Sequence, residues 1–302
     1  MNIKKSGSSA DYIKEYKKKH KKTSRTAEVW RRMRKNKVAM VGLVIFSIIL
    51  LCTIFADLIV SHDVALEQVM DHRYAKSSST LWFGGDLYGR DIFARIIHGT
   101  RNSLIMGIGA VAVGITLGGL LGSLAGYYGG LADMVISRVL DTVMCMPFML
   151  LALAIVAALG PGLVNVLIAL MLSMVPYYTR VIRSAILNVA GMDFIRAGKA
   201  CGTPNYLIIL KHILPNAIGP IIVQATMSVG SMIINSAAMS FLGMGIQPPE
   251  PEWGAMLSEG KDYMLYAPHL VIFPGLAIML TALSVNLMGD GLRDALDPRL
   301  KD

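Results

Sequence analysis

Asp193-Phe-Ile-Arg196-Ala197-Gly198-Lys-Ala-Cys-Gly202-Thr-Pro-Asn205, running on to His212-Ile-Leu-Pro215, separates two long apolar runs and reads as two short helices at a sharp angle. Asp193 is placed to cap the first helix, Gly202 to end it, and Thr203-Pro204 to restart the chain as N-cap and first helical residue. Ala197, Gly198 and Ala200 put almost no side chain on the first helix. Another protein can bring its backbone very close to such a surface, so the segment reads as a docking surface rather than a catalytic one.

The composition around it is that of a membrane protein. Of 302 residues, 54% are hydrophobic and 16% charged, and the mean hydropathy is +0.54, far more apolar surface than a soluble domain of this size needs to bury. Apolar runs near twenty residues fall at about 38–60, 103–127, 142–160, 163–180, 215–243 and 269–289. Each is long enough to cross roughly 30 Å of hydrocarbon at about 1.5 Å per residue. The expectation is an all-α chain with six spans and both termini on one side.

Charge chooses the side. Of 29 Lys and Arg, 23 fall in residues 1–37, at Arg138, between Arg180 and Lys211, and in the C-terminal tail; the remaining loops hold six. That asymmetry places both termini and the docking loop in the cytoplasm. Arg90, Arg95 and Arg101 run against it. The basic run Lys17–Lys22 and the cluster Arg31–Lys35 directly precede the first span, so they read as a topology signal lying against anionic lipid, not as a nucleic-acid site. No cleavable signal is expected ahead of the first span. Cys52, Cys145 and Cys201 have the spacing of neither a metal site nor a disulfide framework.

Three further stretches stand out. Phe83-Gly-Gly-Asp86-Leu-Tyr-Gly89-Arg90-Asp91-Ile-Phe-Ala-Arg95, continuing through His98 and Arg101 to Ser103, reads as a helix from about Arg90 lying in the membrane interface, with Ile92, Phe93, Ile96 and Ile97 on one face. An Asp91–Arg95 pair there contributes a few tenths of a kcal/mol at most, so either orienting the second span or contacting a partner explains the charges. Ser240-Phe-Leu-Gly243-Met-Gly245-Ile-Gln-Pro248-Pro249-Glu-Pro251-Glu-Trp253-Gly254 ends the fifth span in a proline-stiffened outer loop that can reach across a pathway or towards a delivery protein. Gly129 to Asp141 carries Asp133, Arg138 and Asp141, an expected ion-pair network at the cytoplasmic boundary.

These motifs resemble those of ABC importer permeases, over roughly residues 30–300. The docking segment resembles their EAA loop, with Arg196-Ala197-Gly198 where Glu-Ala-Ala stands and Gly202 thirteen residues before Pro215. The far-side stretch resembles the Gly-Thr-Asp-x-x-Gly-Arg-Asp of the dipeptide and oligopeptide branch, with Gly85 for Thr, and Ser240 to Gly254 resembles another signature of that branch. Ser236 stands at a place often acidic in relatives. The resemblance implies a type I importer permease of the C type, paired with a second, homologous permease. It also implies two ATP-binding subunits that hold ATP and Mg, and an extracytoplasmic substrate-binding protein. It divides the chain into a cytoplasmic segment 1–37, a first span and outer loop 38–102, and a core 103–302 with the coupling loop at about 181–214. Di- or oligopeptides are the implied substrates, and nickel or glutathione remain open.

The residues argue for external energy independently. No Asp, Glu, His or Arg is expected near the middle of any span, where ion-coupled carriers place them, and Asp290 is expected after the sixth. There is no Gly-x-x-x-x-Gly-Lys-Ser/Thr for a nucleotide, and neither His-Glu-x-x-His nor Gly-x-Ser-x-Gly for hydrolysis. An ion-coupled secondary carrier is the alternative of a different class.

Overall fold

The computed structural model describes residues 25–296; the basic run Lys17–Lys22 and the last six residues lie outside the described part. The helices are α1 (Arg25–Met33), α2 (Lys37–Ile54), α3 (Ala56–Ile59), α4 (His62–Leu66), α5 (Ile92–Tyr128), α6 (Gly130–Met144), α7 (Phe148–Leu159), α8 (Leu163–Ala190) and α9 (Asp193–Ala200). They continue as α10 (Asn205–Phe241), α11 (Trp253–Gly260) and α12 (His269–Leu296). No strand occurs among the described residues, only an isolated bridge between Gly85 and Asp91.

Five helices, α2, α5, α8, α10 and α12, are long and apolar enough to cross a bilayer, and α6 with α7 adds a sixth only if the pair counts as one. The chain bends by 83° between them. The expected span at 142–160 therefore straddles a break. Pro147 disfavours helical backbone at the residue before it and itself sits extended at φ −53°, ψ 136°.

Three expectations change. The interfacial helix from Arg90 is not a separate element. Asp91 is instead the N-cap of α5, accepting the Phe93 N–H at 2.8 Å, and the 37 residues of α5 run unbroken for about 55 Å. The fourth span extends ten residues past 180, carrying Arg180 and Arg183 in α8. The sixth extends to Leu296, so Asp290 lies inside α12 rather than after it.

A stripe of glycines fixes how the bundle packs. Gly114, Gly118, Gly122 and Gly126 recur every fourth residue along α5 and lie on α8. A Cβ at Gly118 would come within 2.7 Å of Tyr178 Cβ, and one at Gly122 within 2.7 Å of the Thr179 carbonyl oxygen. Backbones this close replace hydrophobic drive, which lipid does not supply between helices. Gly42 of α2 does the same against Ser284 of α12, where an added Cβ would lie 2.7 Å from the carbonyl oxygen. Around the α5–α8 seam the main core gathers Met106, Leu170, Tyr178, Ile182 and Ile186, all essentially buried.

Candidate coupling segment, central cavity and far-side cap

The basic end of the bundle carries α9. Met192, extended at φ −74° and ψ 150°, is its N-cap and gives no side-chain bond. Asp193, expected as the cap, is therefore one residue too late: it is the first helical residue, fully exposed and 3.8 Å from Arg196. The end is as expected. Gly202 takes φ +76° and donates its N–H to Lys199 O at 3.0 Å, while Thr203 donates to Gly198 O at 3.1 Å, the paired bonds of a Schellman stop. Thr203 does not cap the next helix, because Pro204 after it is itself extended at φ −65°, ψ 143°. Pro204 is the N-cap, and α10 starts at Asn205.

The small residues leave the surface bare. Ala197 is exposed, and a Cβ added at Gly198 or Gly202 would meet nothing within 4 Å. Ile195, 1% exposed, roots the helix in the core with Ile208 and Ile213. Met192, Phe194, Tyr206 and Leu210 remain exposed around it, giving the bare helix an apolar border. α10 opens with a π-helical stretch, Ile208–Ile213, just before Pro215. Proline has no N–H and its ring crowds the carbonyl four residues back, so the turn widens.

Tyr127, in the last turn of α5, ties this segment to the bundle. Its hydroxyl donates to Asn205 Oδ1 at 2.6 Å, and Lys199 Nζ sits 4.6 Å from its ring centroid.

The boundary network differs from the expected one. Arg138 makes no ion pair among the described residues; the partners come from α8. Arg183 grips Asp133 through Nε and Nη2, both at 2.6 Å, and Arg180 pairs with Asp141 at 2.5 Å. On α6, Asp133 and Asp141 are eight residues apart, just over two turns, so they stand about 80° apart round the helix, and the side they share meets α8.

Between α6, α7, α8, α10 and α12 lies a cavity of about 840 Å³. Met144, Met146, Met174, Met227 and Met232 supply an adaptable apolar wall, and Gln224, Asn235, Asn286, Tyr177 and Asp290 supply hydrogen-bonding groups. Ser236 is not among the lining residues; it is buried, with its hydroxyl turned to Ile233 O at 2.9 Å.

At the opposite end the two far-side motifs fold into one cap. Arg90 and Arg95, each 1% exposed, lie between two carboxylates. Arg90 Nε meets Asp86 Oδ2, and its Nη2 meets Glu259 Oε2, both at 2.6 Å; Arg95 lies 3.6 Å from Asp86 and 3.4 Å from Glu259. Arg95 thus pairs with Asp86 and Glu259, not with Asp91. Gly89, at φ +81°, passes so close to Val69 that a Cβ would lie 1.9 Å from its carbonyl oxygen. Arg95 Nη1 also donates to Pro249 O at 3.2 Å, and Asn102 donates to Pro251 O at 2.9 Å. Trp253 is buried, its indole N–H on Ile96 O at 3.1 Å, so it does not reach across a pathway. Of the residues expected to contact a partner, Asp86, Gly89, Arg90, Arg95 and Trp253 are buried and Asp91 half-buried, and Arg101, Pro248 and Pro249 stay exposed.

Glu252, wholly buried, caps α11 by accepting the N–H groups of Gly254 at 2.9 Å and Ala255 at 2.8 Å, and Ser103 Oγ at 3.2 Å. Burial pushes its carboxyl above the ordinary carboxylate range, against the lowering pull of those two N–H groups. Glu252, Glu259, Tyr127, Asn205, Arg180 and Arg183 were not singled out from the sequence. Their partners lie far away in the chain, and no local pattern links them. The glycine stripe was not singled out either, although its four-residue spacing was a signal that would have found it.

The architecture is that of a transporter's membrane subunit, and comparison with known proteins agrees. Residues 118–302 match the family of binding-protein-dependent transport system inner membrane components, and residues 24–76 match the N-terminal TM domain of oligopeptide transport permease C. The chain belongs to that inner-membrane permease family and is a multi-pass membrane protein. It is 48% identical to the dipeptide transport system permease protein DppC of Alkalihalophilus pseudofirmus, over 91% of this chain and 90% of that one. Identity to the glutathione transport system permease protein GsiD of Pectobacterium atrosepticum is 43%, over 91% of each. A chain of the MetNI methionine ABC transporter, in inward-facing conformations, shares the fold at a TM-score of 0.55 and 18% identity, covering 67% of this chain and 96% of that one.

Proposed function

We propose that this chain forms one half of the translocation pathway of an ATP-driven importer of di- or oligopeptides, with its basic end in the cytoplasm. ATP and Mg are held by two partner ATPase subunits, substrate arrives from an extracytoplasmic binding protein, and a second, homologous permease supplies the facing wall. The observation that carries this is α9: a rooted helix whose outer surface is bare at Ala197, Gly198 and Gly202 and bordered by exposed apolar side chains. It suits a groove on another subunit and has no use within this chain. The cavity walled by methionine with amide groups fits peptides, whose backbones need hydrogen bonds and whose side chains vary. Glutathione, itself a small peptide, is the second reading, favoured by the relatives named for it.

Asp290 lies within two turns of the end of α12, so the span middles still lack a titrating group suited to a driving proton. Vesicles holding the complete complex test the proposal. Uptake of a labelled dipeptide should persist with a protonophore present and sodium absent, provided ATP is supplied on the side of the basic end. Uptake that survives ATP removal but stops with the protonophore would make the chain a secondary carrier.

A further inference from the structure

Where α1 folds back on the bundle, it encloses an apolar groove that none of the functions above uses. Val29, Trp30 and Met33 of α1 face Ile218 and Ile222 of α10 and Leu292 of α12 across about 310 Å³. Met33 is buried with Ala39 and Ala295, so α1 is seated on the bundle, and the turn after it is pinned by Asn36, whose Nδ2 donates to Asp294 Oδ2 at 3.2 Å. Trp30 stays 47% exposed at the mouth.

The rim is cationic. Arg34, one turn beyond Trp30 on the groove side of α1, and Lys35 and Lys37 in the turn that follows are exposed and make no ion pair among the described residues; Arg31 is exposed on the opposite side of the helix, and Arg32 is neutralised by Glu28 at 2.7 Å. The apolar run of α2 begins at Val38, directly after Lys37. The groove therefore opens where hydrocarbon meets headgroups, with an indole at that level. An apolar slot with a row of free cations at its mouth is complementary to one kind of molecule at that depth: a lipid with an acyl chain and a negative phosphate. The chain's own ends do not suit it. Residues 1–24 carry eight lysines and 297–302 offer a single large apolar side chain, Leu300.

We propose that the α1 groove is a binding site for an anionic phospholipid, an acyl chain lying against Trp30, Ile218 and Ile222 and its phosphate held by Arg34 and Lys35. The inference borrows from the importer reading only the leaflet concerned, the cytoplasmic one.

Fluorescence quenching by bromine-labelled lipids tests it without ATP, substrate or transport, so its failure leaves the importer reading untouched. The full chain carries Trp82→Phe and sits in nanodiscs; Trp253, 1% exposed, is shielded, and Trp30 reports. Dibrominated phosphatidylglycerol should quench more than dibrominated phosphatidylcholine at equal mole fraction. Each of Arg34→Gln and Lys35→Gln should lower that preference, by roughly fivefold at most for each charge. Gly219→Leu tests the slot itself. Gly219 lines the groove and its added Cβ would meet nothing within 4 Å, so leucine should fill the space and reduce quenching with the cations intact. Equal quenching by the two lipids, or a preference indifferent to all three substitutions, would overturn the proposal. Quenching by neither would mean that a protein surface covers the groove, and would overturn it equally.

Discussion

Tyr127 donates its hydroxyl to Asn205 Oδ1 at 2.6 Å, joining the last turn of α5 to the first residue of α10 across the whole of α9. Tyr127→Phe removes that bond and keeps the ring under Lys199; Tyr127→Ala removes both. A hydrogen bond is worth about 1 kcal/mol net, so amide exchange through residues 193–207 should quicken by up to roughly fivefold in the first variant and more in the second. Unchanged exchange in both would show that α9 is held by Ile195 alone.

Gly202 and Gly198 separate strain from docking. Gly202 sits at φ +76°, which costs an ordinary L-residue roughly 1–2 kcal/mol and asparagine less. Gly202→Asn should keep most ATP-driven uptake and Gly202→Val should lose it. Gly198 is helical, with open space around it, so Gly198→Val should leave the chain folded and abolish co-purification of the ATPase subunits. Full uptake by both valine variants would remove α9 from energy coupling.

The far-side cap and the basic-end network should differ sharply in cost. Removing one partner of a buried ion pair costs roughly 3–5 kcal/mol, and the 15% exposure of Glu259 puts Glu259→Gln at the low end. Arg180→Gln breaks a pair whose members are 53% and 46% exposed, worth about 0–1 kcal/mol. Thermal unfolding of the purified chain should show a large drop for the first and almost none for the second.

Glu252 gives the far side a pH dependence. Its folded pKa is raised above its unfolded value by burial, so the native state holds the proton more tightly. The contribution is full below the unfolded value, near 4.5, and is lost as pH rises through the folded pKa. Glu252→Gln should flatten this slope in unfolding measured from pH 4 upwards. It should also lower stability throughout, because its NH₂ must face the Gly254 or Ala255 N–H. A slope unchanged by the substitution would assign it to another group.

Sidedness is tested with single cysteines in a chain freed of Cys52, Cys145 and Cys201. Ser79→Cys and Leu265→Cys, both exposed at the cap end, should react with an impermeant thiol reagent from outside the cell. Asp193→Cys should be protected. The reverse pattern would put α9 on the wrong side for ATPase contact.

The long apolar helices and the short helix that ends at Gly202 were readable because hydropathy and helix stops are local. Gly202 and Pro215 act within a turn of themselves, and twenty apolar residues need no partner to be recognised. The cap was readable only as two separate motifs. What joins them is Glu259 meeting Arg90, a pairing across 169 positions that no local rule anticipates. For the same reason Asp91 was paired with the nearer Arg95, though its carboxylate was needed at the start of α5.

That pairing also orders biosynthesis. Arg90 and Arg95 are translated long before Glu259 exists, with Asp86 alone among their final partners to balance two positive charges. The nascent first half must hold them in water or headgroups until α10 and α11 have been made, and only then can both be buried. Ribosome-stalled chains ending before residue 259 should therefore display an unlocked cap, open to protease at residues 84–91, which closes in longer chains.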